Sequence, residues 1–297
     1  MPGQASKEDR LKPRLLVGFL GIPALLLIIW LGGRVYALLI TGVVILGLWE
    51  YFRLLRRGGL TPRPIPSYLA ALALLAACAH HVGLFGQPPT WETLGLQFFT
   101  IVFILVLVLQ TVEVLFSAGT AWMNLSINVL GVLWIAGFGA SFILVRSADF
   151  SPFGESMDVA FRLTVSLYVS VWICDSLAYL IGKRFGKKKI LPLVSPKKTV
   201  VGTVSGLIGA LLAIFLLGAS GFLPRDIFSL DRLLMLGLIV GGAGQMGDFV
   251  ESRLKRDFDV KDTGALLPGH GGVLDRFDSL LFVMPLTYLY LILVVLP

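Results

Sequence analysis

Apolar runs close to the length of a bilayer crossing recur from residue 14 to residue 296 and leave little chain outside them. A helix needs about 20 apolar residues to cross the hydrocarbon core. The runs lie at 14–31, 34–52, 66–86, 94–116, 122–145, 161–182, 200–221, 232–250 and 279–296, which predicts an all-α polytopic membrane protein of about nine spans. Helix is imposed because an isolated strand in lipid would leave its backbone groups unpaired, and the period-two alternation of a barrel is absent. Composition closes off the soluble alternative. The chain is 56% apolar and 14% charged, against about 25% charged residues in a soluble domain. Lys7, Arg10, Lys12 and Arg14 precede the first run as they would in a signal peptide. That run continues through bulky residues to Leu31 without a small-x-small cleavage site, so an uncleaved first span is expected. Cys78 and Cys174 each sit in an apolar run with no partner at metal-ligand spacing and read as small buried hydrophobes.

The basic residues test this count independently, since cytoplasmic loops carry the excess of Lys and Arg. With the N-terminus cytoplasmic and nine spans, all but five of the 25 basic residues fall inside; Arg34, Arg146, Arg162, Arg225 and Arg232 fall outside. Removing one early span would invert the later loops and destroy the asymmetry. The expected arrangement is therefore N-terminus in and C-terminus out. Net charge of +7 then concentrates in two cytoplasmic loops, 183–199 and 251–278. Basic loops beside a membrane commonly serve only as topology signals attracted to anionic lipid. Nucleic acid is a poor partner for them, because no soluble domain or stacking aromatics accompany the charge.

Three regions follow: a cytoplasmic tail at 1–13, an N-terminal scaffold of five spans at 14–145, and a catalytic region of four spans at 146–297. The scaffold holds few intramembrane charges. Glu50 lies near an interface, Glu113 near a cytoplasmic end, and His80 and His81 near an outer end. Chemistry is expected in the second half.

There Asp175 lies about two turns inside the sixth span, where an acid costs roughly 2.5–3.5 kcal/mol to insert and needs a partner, a metal or water. The following loop ends in Ser195-Pro196-Lys197-Lys198-Thr199 before the seventh span. Ser195 or Thr199 could cap that helix, and two ammonium groups at a helix N-terminus favour a phosphate. The glycine spacing of a Walker A loop is missing. Gly242, Gly244 and Gly247 satisfy GxGxxG, but an apolar membrane run leads into them rather than a strand, so close helix packing explains them better, as it does Gly202-xxx-Gly206. Asp248 ends the eighth run, with Glu251 and Ser252 on its face at i+3 and i+4; Asp275 and Asp278 are spaced i, i+3 before the ninth. Gly269-His270-Gly271-Gly272 can turn sharply between them. Carboxylates beside Lys255, Arg256, Lys261 and Arg276 suit a Mg²⁺-nucleotide site. The bland alternative is a solvated loop with internal salt bridges.

The ungapped run Ser252-x-Leu254-Lys255-Arg256-x4-Lys261-Asp262-x-Gly264-x2-Leu267-Pro268-x-His270-Gly271-Gly272-Val273-x-Asp275-Arg276-Phe277-Asp278 resembles the signature of the phosphatidate cytidylyltransferase family. Asp175-Ser176, the Ser195–Thr199 turn and Gly247-Asp248-x-x-Glu251-Ser252 look like family sequence in the same order. The resemblance covers roughly residues 165–285, and the N-terminal half agrees only in hydropathy. It implies a Mg²⁺-dependent reaction of CTP with phosphatidic acid, yielding CDP-diacylglycerol and pyrophosphate. Of bacterial and organellar membranes a bacterial inner membrane fits best, with the site on its cytoplasmic face. Asp248 and Asp275 match the family's metal-binding aspartates, with a potassium ion admitted beside them. Lys197, Lys198, Lys255, Arg256 and Arg276 would offset phosphate charge, with Ser195, Lys197, Lys198, Thr199 and Lys261 around the nucleotide. Asp175 and Asp278 would be further ligands or orienters, and His270 a hydrogen-bond donor. Leu177 and Phe249 depart from the residues usual after the aspartates. A homodimer is compatible with the sequence, which does not fix oligomeric state.

Three other functions compete. A CTP-dependent lipid-alcohol (polyprenol-type) kinase would attack the γ-phosphate and release CDP. A CDP-alcohol phosphotransferase would carry DGxxAR…GxxxDxxxD, which is missing. An ion-coupled transporter would need acids trailing to the outer face and an inverted repeat, and neither is evident.

Overall fold

The computed structural model describes residues 7–86, 91–116, 120–154, 158–264, 266 and 271–296. Eleven α-helices account for most of them: α1 Lys7–Leu31, α2 Gly33–Arg57, α3 Pro64–His81, α4 Trp91–Phe116, α5 Ala121–Gly131, α6 Phe138–Arg146, α7 Asp158–Phe185, α8 Val200–Ala219, α9 Leu230–Leu238, α10 Gly244–Asp257 and α11 Leu274–Tyr290. Single π-helical segments join α5 to α6 (Val132–Gly137) and α9 to α10 (Ile239–Ala243), and a third extends α11 (Leu291–Val295). Among the described residues there is no strand; an isolated antiparallel bridge joins Lys189 and Thr199. The protein is an all-α integral membrane protein. Among the described residues, seven helical rods are long and apolar enough to cross a bilayer: Gly33–Arg57, Gly95–Phe116, Ala121–Phe153, Val159–Phe185, Val200–Ala219, Leu230–Asp257 and Leu274–Val295. The other two predicted runs also form helices. One has a shorter apolar part, Phe19–Leu31, and α3 is diluted by prolines at its start and histidines at its end.

Several helix ends depart from the apolar runs: α1 begins at Lys7, α2 runs on to Arg57 and α3 stops at His81, and two departures fall at the chemistry. The eighth run ends at 250, but α10 continues to Asp257; ion pairs at i, i+4 between Glu251 and Lys255, and between Arg253 and Asp257, sustain it past the last apolar turn. α11 starts before the predicted 279, at Leu274. Asp248, Glu251, Asp275 and Asp278 therefore all ride on helices.

The expected small-residue packing is present between α7 and α8. A methyl group on Gly202 would lie 2.6 Å from the Ala178 carbonyl oxygen, and one on Gly206 3.0 Å from the Cys174 oxygen. The two backbones touch, as membrane helices do when dispersion rather than water drives their association. Elsewhere polar side chains tie helix ends. Arg146, 4% exposed, donates from Nε to the Ile29 oxygen at 2.7 Å and from Nη2 to the Trp30 oxygen at 3.2 Å, so its charge meets the C-terminal carbonyls of α1. Glu113 of α4 pairs with Arg63 at 3.1 Å and accepts from Asn124 Nδ2 of α5 at 3.1 Å.

Candidate active site

A cleft of about 670 Å³ opens between α7, α8, α10 and α11. The loop before α8 folds back as a short hairpin: the Ile190 amide donates to the Lys198 oxygen and the Val200 amide to the Lys188 oxygen. Thr199, not Ser195, caps α8, its Oγ1 accepting the Gly202 amide at 3.1 Å. The cap fixes Lys198 at the mouth of the helix, where its ammonium pairs with Asp248 and stands 4.3 Å from the centre of the Phe249 ring. Lys197, Lys189 and Lys183 line the same wall.

Across the cleft, α10 and α11 approach closely at Gly247. A side chain there would meet the Asp278 carbonyl group and come within 2.9 Å of Phe282 Cδ2. The predicted packing role of the glycine motif thus rests on Gly247; around Gly242 there is open space. This approach sets Asp248 beside Asp278. With Glu251, one turn further along α10, each offers an oxygen within 4.8 Å of the others. Three carboxylates so close demand cations. Lys198 meets Asp248, and Lys255 bridges Glu251 and Asp275, reaching Asp275 Oδ1 at 2.8 Å. Glu251 is fully buried, and its Oε1 has no hydrogen-bond partner among the described residues. An orphaned carboxylate oxygen inside an acidic cluster fits a hard divalent cation, whose ligands are oxygens.

Of the residues predicted from sequence, Asp175, Lys197, Lys198, Thr199, Asp248, Asp275, Arg276 and Asp278 line this one cleft. Asp175 reaches it from α7, on one face with Ala178, Tyr179 and Gly182. Asp275 is turned toward the loop behind it. Its Oδ2 accepts the amides of Gly272 at 2.8 Å and Thr263 at 3.0 Å, with the Thr263 hydroxyl at 3.1 Å, while Lys255 takes Oδ1. Lys255 lies behind the cluster. Ser195 shapes its turn, accepting the Lys198 amide at 3.2 Å. Arg256 donates to the Val194 and Val260 oxygens, and Lys261 is exposed outside the cleft lining. His270 lies outside the described residues.

The sequence placed Glu251 on the face of Asp248 without giving it a role of its own, and passed over Gln245. Glu251 carried a signal in its i+3 spacing from Asp248. Gln245 also lines the cleft and donates from Nε2 to the Gly241 and Thr203 oxygens, joining α10 to α8; it gave no pattern to read.

A bundle of apolar helices that holds clustered carboxylates and lysines at one cleft suits phosphate chemistry at a membrane, and the protein is a nucleotidyltransferase by its family. Residues 12–294 match the cytidylyltransferase family, to which this chain belongs. A phosphatidate cytidylyltransferase of Bacillus subtilis (strain 168) is 35% identical over 95% of this chain and 97% of its own length. Those of Staphylococcus aureus (strain COL) and Staphylococcus epidermidis (strain ATCC 35984) are 37% and 35% identical, each over 62% of this chain and 71% of their own.

Proposed function

We propose that this chain transfers the cytidylyl group of CTP to phosphatidic acid, giving CDP-diacylglycerol and pyrophosphate for phospholipid synthesis. The observation that carries the reading is one cleft lined by Asp248 and Asp278, with Glu251 buried beside them, and by Lys197, Lys198 and Arg276. A phosphate oxygen of phosphatidic acid attacks the α-phosphorus of CTP; the bond to the bridging oxygen breaks, and pyrophosphate leaves with its electron pair. The nucleophile is already anionic near neutral pH, so no strong base is needed. The work is positioning two polyanions and stabilising the leaving group.

Asp248, Glu251 and Asp278 would hold Mg²⁺, with Asp175 opposite them. When bound, Mg²⁺ supplies electrostatic stabilisation to the phosphates. Lys198 exchanges its pairing with Asp248 for a nucleotide phosphate as substrate arrives, and Lys197 and Arg276 screen the second polyanion. Asp275 holds Lys255 and the loop at 258–264 and 271–273, which keeps Glu251 aimed at the cluster. The lipid enters sideways between helices, its chains in the bilayer and its headgroup in the cleft. The cleft faces the cytoplasm of a bacterial inner membrane, with the catalytic region at 146–297 packed on the scaffold at 14–145.

The test is a mixed-micelle assay with phosphatidic acid, α-³²P-labelled CTP and Mg²⁺. Label in the lipid phase with equimolar pyrophosphate is expected, abolished by EDTA and restored by excess Mg²⁺. CDP in place of pyrophosphate would replace this reading with a lipid kinase.

A further inference from the structure

Glu50 lies on α2 in the N-terminal half and is 0% exposed. Its partners come from the opposite end of the chain. Oε1 accepts the Val273 amide at 2.9 Å and Oε2 the Leu274 amide at 2.8 Å, which puts the carboxylate on the positive end of α11. The Thr263 hydroxyl stands 3.2 Å from Glu50 Oε2 and 3.1 Å from Asp275 Oδ2, so its proton is shared between two acids. Two glycines make the space. A methyl on Gly264 would fall 2.9 Å from Glu50 Cδ, and one on Gly272 2.7 Å from Oε1, closer than side-chain carbons are found.

An ionised carboxylate without partners would be very costly in such surroundings. An apolar residue would pack this position at least as well if packing were all it did. Beyond Glu50 the contacts run on toward the cluster. Thr263 touches Asp275, Asp275 holds Lys255, and Lys255 pairs with Glu251.

The geometry points to Glu50 as a positioning residue for cytidylyl transfer, fastening the signature loop to α2 and, through Thr263 and Asp275, setting the acidic cluster. This inference rests on the cytidylyl-transfer reading. It also gives the N-terminal half a part in the site.

The experiment compares the full-length chain in detergent with Glu50→Gln and Thr263→Val. Glutamine keeps the volume but turns an NH₂ toward an amide donor. Three readouts are taken per folded enzyme: kcat, the Mg²⁺ concentration for half-maximal rate, and amide hydrogen exchange without Mg²⁺. For Glu50→Gln, kcat should fall by about 10–100-fold, as for residues that orient metal ligands, and the Mg²⁺ requirement should rise. Exchange at Val273 and Leu274 should quicken while α7 and α8 keep their protection. Thr263→Val should raise the Mg²⁺ requirement but leave those two amides protected. An unchanged kcat and Mg²⁺ requirement in Glu50→Gln, even with a lower Tm, would overturn the proposal. If Glu50→Gln does not fold, an unchanged Mg²⁺ requirement in Thr263→Val overturns it instead. A wild-type chain that makes no labelled lipid sinks the activity, and the exchange arm still decides whether Glu50 holds the loop.

Discussion

Asp248 and Glu251 occupy one face of α10, yet their surroundings give them different work. Asp248 lines the open cleft and is met by Lys198 and by the Ser252 hydroxyl at 3.2 Å. Glu251 is sealed behind it, with one oxygen unpartnered among the described residues. Asp248→Asn should cut kcat by about 100-fold, because it removes a charge from the cation's own oxygens. Glu251→Gln should cost about 10-fold and raise the Mg²⁺ requirement, while the purified enzyme keeps its Tm within a few degrees. Lys261→Ala, at an exposed site outside the cleft, should change the rate by no more than about twofold, the range of an ordinary surface substitution. A Mg²⁺ titration of the three variants separates these outcomes; equal losses in all three would mean that the cluster does not hold the metal. Asp248 was legible because an acid that ends an apolar run is conspicuous. Glu251 had only its spacing, and its burial depends on α11, which no local pattern shows. Glu50 was visible as a charge near an interface, but its partners lie more than two hundred positions away.

Helices were readable as far as lipid dictates them. Every apolar run became a helix, since the bilayer permits little else. The sequence was less informative where apolarity stops and ion pairs take over, at the end of α10 and the start of α11. The glycines divide on the same ground: a pattern marks small residues, but only the neighbour decides which one matters. Gly247 faces the Asp278 backbone, whereas Gly242 faces open space. Gly247→Ala should push α10 from α11 and destabilise the protein by about 1–3 kcal/mol, the usual cost of overpacking. The same shift separates Asp248 from Asp278, so activity should fall further than the folded fraction does. Gly242→Ala should be neutral or stabilising by up to about 1 kcal/mol, since alanine is the better helix former. Thermal melts in detergent with activity normalised to folded protein check both. A Gly247→Ala enzyme with normal activity and Tm would show that α10 has room to move.

At the scale of the whole molecule, the uneven spread of basic residues argues for one orientation. Lys183, Lys189, Lys197, Lys198 and Arg276 gather at one end of the bundle around the cleft, while Arg225 and Arg232 lie at the ends of α8 and α9 remote from it. A cytoplasmic cleft is what CTP requires, because the nucleotide has no route through lipid. Both native cysteines are buried, so an introduced cysteine can be read against a quiet background. Lys187→Cys, exposed on the loop beside the cleft, should react with an impermeant maleimide only after the cells are opened. Asp226→Cys, exposed between α8 and α9, should react in intact cells. The two positions are separated by α8 alone, so an odd number of crossings between them forces opposite behaviour whatever the number of spans before α7. Labelling of both from outside would mean that α8 does not cross. Reversed labelling would place the cleft outside, away from its nucleotide, and the activity proposed for it would fall with the orientation.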